Sequence, residues 1–190
     1  MAEVMELAQI SLTAEDFDQA FMASLRRYGF AALIHHPLDD DRVQRIYESW
    51  RAFFGSGAAS AYAMDPDAQD GYFSPEQAES ARGFSQRDYK EYFQYYPWGR
   101  CPHFLQSDLN AHFEAAAALG TRLLRCIAEQ LPAMITAQLT EPLCAMIEQS
   151  GQSMLRVLHY PPFPAEETLL RAAPHEDINL LTLLPSADGP

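Results

Sequence analysis

Residues 173–184 read APHEDINLLTLL, and the tripeptide His175-Glu176-Asp177 near their start sets the terms for the rest of the chain. The apolar run from Ile178 to Leu184 has the length of a strand and is expected to be one. Side chains on a strand alternate between its faces, so His175 and Asp177 project to one side and Glu176 to the other. A neutral imidazole beside a carboxylate makes two corners of a metal site. A zincin arrangement fails at once, because HExxH requires a histidine four positions after His175 and Asn179 stands there. Taken alone, the tripeptide also suits a solvated histidine and aspartate at the start of a strand.

Working outward, residues 154–162 read MLRVLHYPP, a second strand pattern in which Arg156, Leu158 and Tyr160 share one face. A cation or a phenol aimed into a barrel needs an anion or a hydrogen-bond partner. Tyr160 could donate to the carboxylate of an oxo-acid held on a metal, with Arg156 supplying charge nearby. The plain alternative puts the tyrosine hydroxyl in solvent and pairs the arginine with a surface acid. With a second imidazole from another strand, His175 and Asp177 would complete the two-histidine, one-carboxylate triad that binds iron(II). That triad leaves positions open for a chelating co-substrate and dioxygen.

The front half reads as helical. Thr13 is an N-cap candidate for a helix marked by Phe17, Phe21, Leu25 and Tyr28, and Gly29 ends it. Residues 30–34 (FAALI) make a short strand closed by His35, His36 and Pro37, with both histidines read as structural. Asp39, Asp40 and Asp41 place acids at the start of a second helix. Residues 55 to about 100 lack periodicity and read as loops, with one short helix after Pro75. Within them the aromatic stretch Tyr89 to Trp98 is expected to be a packed loop rather than a base-stacking platform, because the few nearby cations make no electropositive groove. Ser107 should cap the longest helix, which runs to Pro132, and a shorter helix should follow Thr140. From Ser153 onward the texture becomes strands. The expected division is 1–105 for an N-terminal region and 106–190 for a support helix and the start of a β core.

Composition narrows the function. Of 190 residues 48% are hydrophobic, enough for a core, and 26 acidic against 13 basic residues give a net charge of −13. That field repels phosphate backbones and anionic lipid, so neither nucleic acid nor a membrane is the expected partner. No run reaches the roughly 20 apolar residues of a membrane span. The first ten residues lack a secretory pattern, and Cys101, Cys126 and Cys144 form no framework, so a cytoplasmic location is expected. Gly-x-Ser-x-Gly and a Gly-rich phosphate loop are both missing, leaving acyl and phosphoryl transfer without support.

Four segments in order resemble the isopenicillin N synthase-like family of 2-oxoglutarate/Fe(II)-dependent oxygenases. They are AFMASLRRYGFAALIHHPLDDDRVQRIYESWRAFF, then DGYFSPEQAES with RDYKEYFQYYP, then LRVLHYPPF, and finally APHEDINLLTLL. The second of these is similar to the family's Gly-Tyr and Asp-x-Lys-Glu segments. The resemblance implies an α+β fold, a helical N-terminal half followed by the first strands of a double-stranded β-helix (jelly roll). It implies that His175 and Asp177 are iron ligands and that Tyr160 and Arg156 contact the co-substrate. It also implies Fe(II), 2-oxoglutarate and O2 as cofactors and a small molecule as substrate, with hydroxylation, desaturation or cyclisation of a C–H bond as the outcome. The family often has asparagine where Leu158 stands, and glycine where the histidine turn here has Pro37. Family members carry a distal metal histidine and an Arg-x-Ser pair some tens of residues beyond the aspartate, whereas Pro190 lies 13 residues (190 − 177) past Asp177. The sequence is therefore expected to be the N-terminal part of such an oxygenase; the rival expectation is a truncated, non-catalytic relative serving as a binding or regulatory module.

Overall fold

A computed structural model describes residues 7–77, 88–148, 150–163, 170–175, 177 and 179–187. Contacts divide the chain into two compact units. One is built from the described residues of Met1–Leu38 and Ala115–Gln149, the other from those of Asp39–Glu114 and Ser150–Pro190.

In the first unit, β1 (Gln9–Ser11) and β2 (Ala32–Ile34) pair in parallel, Ile10 against Leu33, and α1 (Phe17–Tyr28) is the crossover between them. A parallel pair cannot be joined by a tight turn, so a helix must intervene. Thr13 does not cap that helix: Asp16 occupies the cap without a side-chain bond, and the Thr13 hydroxyl lies 2.9 Å from that of Ser11. The unexpected strand β1 ends at Ser11, two positions before Thr13. Gly29 stops α1 at φ 74°, a left-handed conformation that costs glycine little. Phe17 and Phe21 are buried and stacked with ring centroids 5.4 Å apart. Arg122 lies over Phe17 and donates to the Leu12 carbonyl at 2.8 Å.

The second unit carries the candidate site residues His175 and Asp177. Asp39 caps α2 (Asp40–Gly55), its carboxylate accepting the Arg42 N–H at 3.0 Å. A 3-10 turn (Ala58–Tyr62) follows, then β3 (Gly71–Phe73), β4 (Glu91–Tyr95) and, after the helices, β5 (Leu155–His159). The three strands form an antiparallel sheet in the order β3-β4-β5, with Phe93 opposite both Tyr72 and Val157. The expected loop over residues 55–100 is thus corrected, because it holds two strands. Tyr92, Phe93 and Tyr95 are fully buried since β4 is the central strand, covered on both faces. A strand buried on both faces shows no alternation, so periodicity gave no sign of it. On one face Phe93, Tyr95 and Val157 pack with Trp50, Phe53 and Phe54 of α2 into an aromatic core. Trp50 and Phe93 meet at 4.8 Å, a contact worth about 0.5–1.5 kcal/mol beyond area burial.

The longest helix, α3 (His103–Gln130), begins a turn before Ser107, because the Pro102 carbonyl already accepts the Leu105 N–H at 2.9 Å. It ends two residues short of Pro132, as the proline ring demands. Two single-turn helices follow in the first unit, α4 (Ala133–Thr136) and α5 (Ala145–Glu148). The strand expected over 178–184 is not found: none of residues 179–187 is in a ladder, and Leu184 is exposed. Asn179 donates to the Thr182 hydroxyl at 2.9 Å, a local bond that bends the segment in place of strand pairing. Glu176 and Ile178, and most of the short helix expected after Pro75, lie outside the described residues. Mixed helix and sheet is therefore the architecture, with strands already in the front half.

Candidate metal centre

His175 and Asp177 follow β5 in the chain and stand in irregular backbone. Their side chains nevertheless turn to one side, with His175 Nε2 3.6 Å from Asp177 Oδ1. The two groups thus lie close together, but in irregular backbone and not on a strand. Both side chains are about half exposed, at 51% and 53%.

Hydrogen bonds fix what each presents. His175 Nδ1 lies 2.8 Å from the Ala173 carbonyl oxygen, which can only accept, so Nδ1 carries the proton. In the neutral ring Nε2 is then the atom with a free lone pair, the form in which histidine binds metals. The Thr182 hydroxyl donates to Asp177 Oδ2 at 2.8 Å and leaves Oδ1 facing Nε2. Metal bonds to such nitrogen and oxygen donors are about 2.0–2.2 Å, so one ion reaches both atoms. Imidazole with carboxylate is a donor pair that several divalent transition metals accept. Among the described residues no cluster of three or more His, Cys, Asp or Glu gathers for a metal.

The other two expected site residues sit on or just beyond β5. Arg156 donates to Gln94 Oε1 at 2.9 Å and lies 4.7 Å over the Tyr92 ring, opposite Gln94 in the register. Its face of the sheet is the one away from Trp50, shared with Leu158 as the period-two pattern required. Tyr160 lies one residue past the strand, 40% exposed, with the Arg171 guanidinium 6.0 Å from its ring. Among the described residues no hydrogen bond or ion pair links Tyr160 to His175 or Asp177. His35, at φ 56°, has Nδ1 2.9 Å from the Ser11 hydroxyl, a turn contact.

Sequence reasoning passed over Thr182 beside Asp177 and a polar cluster on the core face of the sheet. Thr182 orients Asp177 from five positions on, a spacing no regular element would have suggested. On the core face of the sheet, Glu91 accepts from the Tyr72 hydroxyl and lies 2.7 Å from His159 Nδ1, while Phe54 stacks on His159 at 5.4 Å. Burial and the Glu91 carboxylate together raise the Tyr72 pKa, keeping the phenol protonated as the donor.

Residues 3–110 match the family described as non-haem dioxygenase in morphine synthesis, N-terminal. The 2-oxoglutarate-dependent dioxygenase htyE of Aspergillus rugulosus is 26% identical over 211 residues, covering 95% of this chain and 62% of that protein. A solved structure from Shewanella oneidensis, designated an oxygenase, is 42% identical with a TM-score of 0.80, covering 93% of this chain and 64% of that one. Another, from Caulobacter crescentus and designated a 2OG-Fe(II) oxygenase family protein, is 26% identical with a TM-score of 0.62, covering 86% and 59%. The chain spans about half to two thirds of the length of the relatives it matches.

Proposed function

The chain belongs to the non-haem dioxygenase family whose N-terminal region it matches, and on that premise we propose that it serves a 2-oxoglutarate- and Fe(II)-dependent oxygenase acting on a small molecule. One observation carries the proposal: His175 Nε2 and Asp177 Oδ1 lie 3.6 Å apart, each with its second polar atom already occupied. These two residues would hold the iron. Bound there, iron(II) with 2-oxoglutarate and dioxygen supplies oxidative decarboxylation to succinate and carbon dioxide, and with it the power to oxidise a substrate C–H bond.

The protein's own part is positional. Ala173 and Thr182 keep the imidazole and the carboxylate in one orientation, so binding needs no rearrangement of either. Arg156, on the face of the sheet away from Trp50, supplies positive charge for a dicarboxylate co-substrate, and the Tyr160 hydroxyl donates to it. The antiparallel sheet β3-β4-β5 is the opening of a jelly-roll core. The htyE relative, a 2-oxoglutarate-dependent dioxygenase by name, supports the co-substrate. The three cysteines are all free, in keeping with a cytoplasmic setting.

Succinate release from 2-oxoglutarate, measured with Fe(II) and ascorbate, tests the proposal. His175→Ala and Asp177→Ala are each expected to abolish it; turnover that continues in His175→Ala overturns the ligand assignment.

A further inference from the structure

Asp88 and Lys90 form an ion pair with both partners buried, at 4% and 7% exposure, and Lys90 Nζ 2.9 Å from Asp88 Oδ2. Burying two charges is costly unless their remaining capacity is used. Asp88 Oδ1 accepts the backbone N–H of Ala173 at 2.8 Å across 85 positions of sequence. Beside it, the Tyr89 N–H donates to the Leu170 carbonyl at 2.7 Å, so the 88–90 segment grips the 170–173 segment twice. Ala173 is itself 1% exposed and precedes Pro174, which restricts its backbone to extended conformations. Anchoring its N–H therefore sets the direction of its carbonyl, and that carbonyl is the acceptor for His175 Nδ1–H.

We propose that Asp88, held by Lys90, is the positioning residue for His175. By fixing Ala173 it sets the imidazole's tautomer and aims Nε2 at the site. The consequence for metal binding rests on the function proposed above; the tautomer does not.

The test uses the full chain and two double variants. Asp88→Leu/Lys90→Met removes the acceptor and both charges without stranding either one. Asp88→Asn/Lys90→Met also removes the charges but retains an oxygen for the Ala173 N–H. In the unaltered, metal-free protein, 15N NMR should find His175 protonated at Nδ1, and the Ala173 amide should resist hydrogen exchange. In the leucine variant the tautomer should become mixed, and affinity for Co(II), titrated alone by calorimetry, should fall about ten- to hundredfold. The asparagine variant should rescue both. An Nε2-protonated His175 or a freely exchanging Ala173 amide in the unaltered protein overturns the proposal, and those two measurements decide it even where the leucine variant does not fold. A folded leucine variant with unchanged tautomer overturns it too. Should Co(II) binding survive His175→Ala, the ligand assignment fails, while the tautomer measurement still decides the role of Asp88.

Discussion

Replacing Asp70 by asparagine puts a number on the second unit's strongest local tie. The Asp70 side chain is 3% exposed, and its two oxygens accept the Arg100 backbone N–H at 2.6 Å, Nη2 at 2.7 Å and Nε at 3.1 Å. Asparagine keeps the shape but turns one acceptor into a donor that faces other donors. Hydrogen bonds to a charged group contribute about 1.5–3 kcal/mol, and stranding a buried partner costs about 3–5 kcal/mol. Arg100 is 45% exposed, so water recovers part of that loss, and about 2–3 kcal/mol at neutral pH is expected. At roughly 2–4 °C per kcal/mol for a chain of this size, Tm should fall by about 4–12 °C. Burial alone would raise the Asp70 pKa, but the Arg100 hydrogen bonds and charge outweigh it and hold the carboxyl below its ordinary 3.8. The unfolded chain then takes up the proton first, so this stabilisation is complete above the ordinary value and disappears as pH falls through the lower folded one. Urea unfolding of both proteins at pH 7 and at steps toward about pH 2.5 should show the gap closing in acid. A gap under about 0.5 kcal/mol at pH 7, or one that widens in acid, refutes the reasoning.

Gly71→Ala should lower stability by more than about 2 kcal/mol, because Gly71 sits at φ 98° and an added Cβ would collide with the Tyr62 carbonyl oxygen; thermal denaturation reads the loss. Phe93→Ala, emptying a fully buried position between Trp50 and Phe53, should cost about 3–5 kcal/mol by urea titration. Burial pushes the Cys101 thiol up to about 12, and burial with the Asp18 hydrogen bond does the same to Cys126. Neither should therefore be alkylated by iodoacetamide in the folded protein at pH 8, and both should react once urea unfolds it, as peptide mass mapping would record.

Features with local causes were legible in the sequence. Gly29 ended its helix because only the residue itself must bear a positive φ. Asp39 capped the next helix because its partner, the Arg42 N–H, lies three positions away. His175 and Asp177 do come within 3.6 Å of each other, but not through the strand alternation that the sequence suggested. The strands β1, β3 and β4 were not legible. Thr13 looks like a helix entry when the sequence before it carries no strand signal, and residues 91–95 look like an aromatic loop until neighbours cover both faces. The reverse error at residues 179–184 has the same origin, since an apolar run makes a strand only where a neighbouring backbone accepts its hydrogen bonds.

The sequence alone therefore determined the helices that flank the sheet, through interactions spanning a turn or less. Tertiary structure alone decided which segment became the central strand and that Asp88 meets Ala173 across 85 positions. Such contacts require the ordering of long intervening loops, a cost repaid only when the whole unit packs, and periodicity over a few residues carries no record of it.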